Sequence, residues 1–196
     1  MERLLEVRDS VLVVVDAQPG FFAASGTAGA VRTEGIVARI AWLTGVAAAL
    51  GVPVVVTEED PARNGPTAPA VADRLPPATP PPFRKSVFGL AGDPRIAAAI
   101  EATGRRTAVV TGFETDVCVA QSALGLLDLG YRVAAVVDAT GSPGRMHRHG
   151  LRRMRDAGVL LVHAKGVYYE WIRLLDEARA FESGHPELAG PPGFSL

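Results

Sequence analysis

The sequence predicts an α/β fold, a mostly parallel β-sheet between layers of helices, and three observations carry that prediction. Short apolar runs rich in β-branched residues recur along the chain, as buried strands require. Between them lie Ala- and Leu-rich stretches long enough for helices. Gly51, Gly104, Gly130 and Gly158 each stand just past such a stretch, where a residue of positive φ commonly ends a helix. Strand, helix, glycine and strand in repetition mean parallel strands joined by helical crossovers.

Taken in order, Val11–Val15 is the first strand and ends at Asp16. A helix over Ile36–Leu50 leads to a second strand, Pro53–Thr57. Glu58–Phe83 then breaks the rhythm. It is rich in Pro, Ala and Gly, includes Pro80–Pro82, and is too long for an ordinary connection. It is either a functional loop or locally disordered. The rhythm resumes with a helix over Pro94–Thr103, a strand at Thr107–Val110 and a helix over Asp116–Leu129. Strand Arg132–Val137, helix Arg145–Ala157 and strand Val159–Val162 follow. A last helix is expected from Tyr168 to Phe181, with Trp171, Tyr168, Leu174 and Leu175 on one face. The tail, Gly184–Leu196, carries Pro186, Pro191 and Pro192 and is expected to fray. Residues 1–196 read as a single domain with its core at about 10–182.

Composition narrows the function. Hydrophobic residues make up 48% and aromatics 6%, so Ala, Val and Leu must do the packing. Twenty basic residues face 21 acidic ones, without the excess that a nucleic-acid binder shows. Met1–Ser10 lacks the pattern of a signal peptide, and no apolar run reaches the length of a membrane span. One cysteine, Cys118, excludes an intrachain disulfide and a two-cysteine zinc site. A cytoplasmic location is the default expectation.

Ligands of open parallel sheets bind at the carboxyl ends of the strands. The residues there are Asp16-Ala17-Gln18, Thr57-Glu58-Glu59-Asp60, Gly112–Cys118 and Asp138-Ala139-Thr140. Cys118 follows a strand and opens a helix, whose N-terminal partial charge favours a reactive thiolate. Against this stands the habit of cysteine to be a small buried hydrophobe. Asp16 is the leading base, with Asp138 its competitor, while Asp116 lies two residues from Cys118 and on another helix face. Lys85 follows the long loop beside apolar residues, where a surface lysine is the ordinary reading. A cation near Asp16 and Cys118 would hold the carboxylate ionised and stabilise a thiolate, and spacing does not separate Lys85 from its rival Arg84. Phe21, Phe22, Phe88, Phe113 and Glu58 are pocket candidates, although core packing explains a phenylalanine equally well. His147 and His149 are expected at the surface, His163 follows a strand, and His185 lies in the tail.

Three motifs carry a resemblance: Asp16-Ala17-Gln18-Pro19-Gly20-Phe21, Lys85-Ser86-Val87-Phe88, and Gly112-Phe113-Glu114-Thr115-Asp116-Val117-Cys118. In this order and at these strand ends the chain resembles the isochorismatase-like cysteine hydrolases. The resemblance implies a six-stranded sheet and a catalytic triad of Asp16, Lys85 and Cys118. It further implies a cis peptide between Phe113 and Glu114, with the backbone N–H groups of Glu114 and Cys118 forming an oxyanion hole. The implied activity is hydrolysis of a small molecule's amide C–N bond through a Cys118 thioester, in a homo-oligomer of two or more copies. The alternatives are isochorismatase-type vinyl-ether hydrolysis and a catalytically weak binding protein. Nicotinamidases of this family bind a metal through histidines after the second strand, but residues Thr57–Lys85 contain no histidine. No metal and no cofactor are therefore expected. True isochorismatases have Gly where this chain has Cys118. The stretches Thr57–Pro61 and Val117–Leu124 are most similar to isochorismatase-domain-containing proteins.

Overall fold

A computed structural model describes residues 3–21 and 26–193, apart from the side chains of residues 26–32. The strands are β1 (Ser10–Val15), β2 (Val54–Glu59), β3 (Phe83–Lys85), β4 (Thr107–Phe113), β5 (Arg132–Gly141) and β6 (Leu160–Val162). They form one parallel six-stranded sheet in the order β3-β2-β1-β4-β5-β6. The helices are α1 (Gly26–Ala49), α2 (Pro61–Asn64), α3 (Pro69–Ala72), α4 (Pro94–Glu101), α5 (Ala120–Asp128), α6 (Met146–Asp156), α7 (Ala164–Ile172) and α8 (Leu175–Gly184).

Alternate residues of the buried strands feed two cores. Leu12, Val14, Val54 and Val56 pack on one face with Ile40, Leu43, Val167 and Trp171 of α1 and α7. Val11, Val13, Val15 and Val55 pack on the other with Ile96, Leu126 and Met154 of α4, α5 and α6. Cys118 belongs to this second layer. Continuous apolar runs in β1 and β2 reflect burial on both faces, which is why their periodicity is not two.

Several expectations need correction. The sixth strand, β3, carries Lys85 where the sequence suggests only the end of a loop. Three residues, two of them cationic, carry no apolar run to detect, and charged edge strands are common. The proline-rich connection is ordered. It holds α2 and α3, buries Val71 and ties Ala68 N–H to the Ala17 carbonyl at 2.8 Å. The expected last helix is two, α7 and α8, separated at Arg173, which adopts φ 62°. That break leaves Leu174 and Leu175 61% and 67% exposed, away from the face shared by Trp171 and Tyr168. The tail does not fray at Gly184: Leu188 is buried in the core, and its carbonyl accepts from Trp42 Nε1 at 3.0 Å.

Candidate active site

Strand order reverses direction between β1 and β4, the position where open α/β sheets leave a crevice at the carboxyl ends. Four neighbouring strands each send one functional side chain there. Asp16 follows β1, Glu59 ends β2, Lys85 ends β3, and Cys118 follows β4.

Lys85 joins the other two members of the expected triad. Its Nζ lies 2.7 Å from Asp16 Oδ2 and 3.6 Å from Cys118 Sγ, and it donates to the Val87 carbonyl at 3.0 Å. The side chains of Asp16 and Lys85 have no solvent exposure. Thr57 Oγ1 donates to Asp16 Oδ1 at 2.8 Å, so both carboxylate oxygens of Asp16 are held. Alternation along β3 settles the rivalry between adjacent cations, because Lys85 points inward and Arg84 is exposed.

The backbone shapes this meeting. Asp16 adopts φ 48°, a left-handed conformation that Asp tolerates better than most residues. Gly112 has φ 121°, and a Cβ there would overlap the Val15 carbonyl oxygen. Only glycine lets β4 approach β1 this closely, one residue before Asp16. Beyond it the Phe113–Glu114 peptide is cis, and Thr115–Val119 forms a π-helical turn. The Glu114 carbonyl accepts from Val117 N–H at 3.2 Å and Val119 N–H at 3.0 Å, fixing the turn that carries Cys118. Gly150 of α6 packs against the Asp116 backbone, where a side chain would not fit.

Glu59 is the functional residue that sequence reasoning missed. Cys118 Sγ donates to its Oε2 at 3.3 Å. Glu58, the expected pocket residue, faces elsewhere: its Oε1 accepts from Thr67 N–H at 2.7 Å and Thr67 Oγ1 at 2.8 Å. Alternation was the available signal. Glu59 shares a strand face with Thr57, which touches Asp16, and Glu58 does not. Gln18 clamps Glu59 in place. Its Oε1 accepts from Glu59 N–H at 2.7 Å and its Nε2 donates to the Glu59 carbonyl at 3.1 Å and the Gly65 carbonyl at 2.5 Å. The third residue of the first motif is therefore a structural bracket between β1 and β2.

The electrostatics oppose the effect expected of the helix end. Burial pushes the Cys118 thiol well above the ordinary range, the Asp16 carboxylate adds to the rise, and Lys85 offsets only part of it. Burial thus favours the thiol form at rest, and Lys85 compensates only in part, lying closer to Asp16 than to sulfur. Burial also raises Asp16 above the usual carboxylate range, against the opposing pull of Lys85. Glu114 is raised by burial and by the neighbouring charges of Asp116 and Glu59.

The remaining candidates lie apart. Asp138 accepts from Ala164 N–H at 2.8 Å and pairs with Arg39 at 3.5 Å and His163 at 3.7 Å, so it anchors α7 and α1 to the sheet. Asp116 accepts from Ser142 Oγ at 2.6 Å. Phe113 is buried against Ile36 and Gly141 in the α1-side core, and Phe21 packs at the edge of that core. Phe88 is 55% exposed. Phe22 lies outside the described residues. His147 is not a free surface residue, since its Nδ1 lies 2.9 Å from Thr115 Oγ1 in the cysteine motif. Asp16, Glu59 and Cys118 offer donor atoms within 4.8 Å of one another, a possible metal ligand set, but the Lys85 ammonium against Asp16 would repel a cation there.

Comparison with known proteins matches this arrangement to a family. The isochorismatase domain model covers residues 10–165, from β1 into α7. The chain belongs to the isochorismatase family. Isochorismatase domain-containing protein 2 of Xenopus laevis is 33% identical over 92% of the chain and 80% of its own length. Its Bos taurus counterpart is 34% identical over 70% of the chain and 65% of its own length. Among solved structures, the YcaC gene product of Escherichia coli, described as an octameric hydrolase of unknown specificity, superposes with a TM-score of 0.82. It is 24% identical, with 96% of this chain and 94% of that one covered. A cysteine hydrolase of Pseudomonas syringae is 18% identical and superposes with a TM-score of 0.68, covering 86% and 95%. These structural likenesses show the isochorismatase fold. Among the described residues, no helix is long and apolar enough to cross a membrane.

Proposed function

We propose that the protein is a cysteine hydrolase that cleaves a C–N bond of a small amide through a thioester on Cys118. The observation that carries this reading is the Lys85 ammonium touching both Asp16 and the Cys118 sulfur in a buried cluster. A binding protein gains nothing from burying a carboxylate, an ammonium and a thiol together, since desolvating them is costly.

Asp16 is the base and Lys85 its positioning cation. Glu59 accepts the thiol hydrogen bond at rest; Asp16 shares the Lys85 ammonium with the sulfur, and burial raises it above the usual carboxylate range, which suits a general base. In the reaction, Asp16 takes the thiol proton and Cys118 Sγ adds to the amide carbonyl carbon. The C–N bond breaks as Asp16 passes that proton to the leaving amine, which leaves a thioester. Water attacks the thioester, its proton goes to Asp16, the acid departs, and the thiol regains the proton. Lys85 balances the negative charge shared by carboxylate and thiolate throughout. The backbone N–H groups of Glu114, just before the π-helical turn, and Cys118, within it, are the oxyanion donors of this mechanism, each such donor contributing about 2.7–4 kcal/mol in comparable sites.

Vinyl-ether cleavage needs proton transfer and has no use for a nucleophile, so Cys118 weighs against it. The octamer of the Escherichia coli protein supports a homo-oligomeric assembly here as well.

A panel of small amides assayed for ammonia or amine release tests the reading. Turnover is expected in the wild type, with a loss of at least about 100-fold in Asp16→Asn and complete loss in Cys118→Ser. Equal turnover in Cys118→Ser would overturn it.

A further inference from the structure

We propose that Glu59 is the specificity-determining residue and that it selects amides bearing a cationic nitrogen next to the scissile carbonyl. This inference rests on the hydrolase reading and names the substrate class of that same site.

Glu59 differs from Asp16 in how its charge is met. Asp16 is paired with Lys85 and held by Thr57. No lysine, arginine or histidine among the described residues forms an ion pair with Glu59, whose Oε2 has the Cys118 thiol as its donor. That donor is lost at the moment of catalysis, because the thiol gives up its proton and the sulfur turns to the substrate carbon. A partly buried carboxylate beside Glu114 and Asp16 then needs a new donor, and a charged one stabilises it best.

Geometry limits where that donor sits. Glu59 Oε2 is 3.3 Å from the sulfur, and a carbonyl carbon poised for attack lies roughly 3–3.5 Å from the same atom. A nitrogen bonded within one or two atoms of the carbonyl reaches the carboxylate, and a more distant one overshoots it. Glu59 itself cannot drift to meet a misplaced group. Its backbone is held on both sides by Gln18, and Asn64 Nδ2 donates to its carbonyl at 2.9 Å. Only the side-chain torsions remain free. A ligand with a carboxylate in place of the cation meets Glu59 head-on, with Lys85 too tightly held by Asp16 to compensate.

Glycinamide and propionamide test this, since they differ by an ammonium in place of a methyl group. Binding is measured by calorimetry or NMR titration in Cys118→Ala, where no thiol chemistry contributes. Glycinamide is expected to bind at least about tenfold tighter than propionamide, and the advantage should vanish in Cys118→Ala/Glu59→Gln. Equal affinities in Cys118→Ala, or an advantage that survives Glu59→Gln, would overturn the proposal.

A second readout uses the single cysteine with methanethiosulfonate reagents that carry a cationic, neutral or anionic group. Rates are normalised to a free thiol. The cationic-to-anionic ratio is expected to fall at least about tenfold on Glu59→Gln, with the neutral rate moving less than about threefold. An unchanged ratio contradicts the role of Glu59. The failure of the hydrolase reading looks different: Cys118→Ser would still turn over amides while the charge preference remained in both tests.

Discussion

Lys85 and Asp16 form an ion pair at 2.7 Å with both side chains closed to solvent. Removing one partner of such a pair leaves an uncompensated buried charge, at a cost of about 3–5 kcal/mol, whereas removing both is far milder. Lys85→Met is therefore expected to lose about 3–5 kcal/mol in chemical denaturation. The double variant Asp16→Asn/Lys85→Met should recover most of that loss while remaining inactive. A double variant no more stable than Lys85→Met would show that the pair is not coupled as the distance implies.

The pH profile of turnover follows from the base. Burial raises Asp16 above the usual carboxylate range, so the proton-accepting form is lost at a higher pH than for an exposed aspartate. Activity should fall on acidification with a midpoint above the ordinary carboxylate value of about 4. A kcat/KM profile that stays flat down to that value contradicts Asp16 as base.

Cys118 titration gives a separate check, and its sign opposes the loss of activity. Burial and the Asp16 charge both push the thiol up, so alkylation by iodoacetamide should keep rising with pH beyond the ordinary range of about 8.5. Asp16→Asn removes a negative neighbour and should shift this titration downward even as turnover disappears. Labelling that already plateaus at neutral pH in the wild type would show a preformed thiolate instead.

Gly112 is where the two central strands come closest, at Val15. Gly112→Ala forces a Cβ into a backbone oxygen and an alanine into φ 121°, and should cost roughly 3 kcal/mol or more. The denaturation midpoint reads this directly, and a wild-type midpoint would mean that the strands have room to part.

Gln18→Leu strips three hydrogen bonds, two of them to the Glu59 backbone. Each buried group left unsatisfied costs about 1–3 kcal/mol. A loss within that range or above it, by the same denaturation measurement, is the expected outcome. No loss would imply that the β1–β2 bracket is dispensable.

Much of this was legible in the chain because burial on both faces leaves long β-branched runs. β1, β2, β4 and β5 announced themselves, and Asp16 and Cys118 stood at their ends. Lys85 was legible only by resemblance, since three residues of β3 give no periodicity to place it on a strand. Glu59 was hidden for a related reason. The apolar run ends at Thr57, two residues before the strand does, so composition does not extend to Glu58 and Glu59 the alternation that separates them. Break points set by a single torsion, as at Arg173, leave no compositional mark at all. The balance between burial and the helix end at Cys118 is not legible either, because a sequence shows which charges are near but not how deeply a group is buried or which neighbour claims the cation.

The central claim is a covalent intermediate on Cys118, and intact-protein mass spectrometry after rapid acid quench tests it most directly. With an amide that the wild type hydrolyses, the predicted result is a transient mass gain equal to the acyl group, on the peptide containing Cys118 and absent from Cys118→Ser. Steady turnover with no adduct at any quench time, or turnover retained without the thiol, would contradict it.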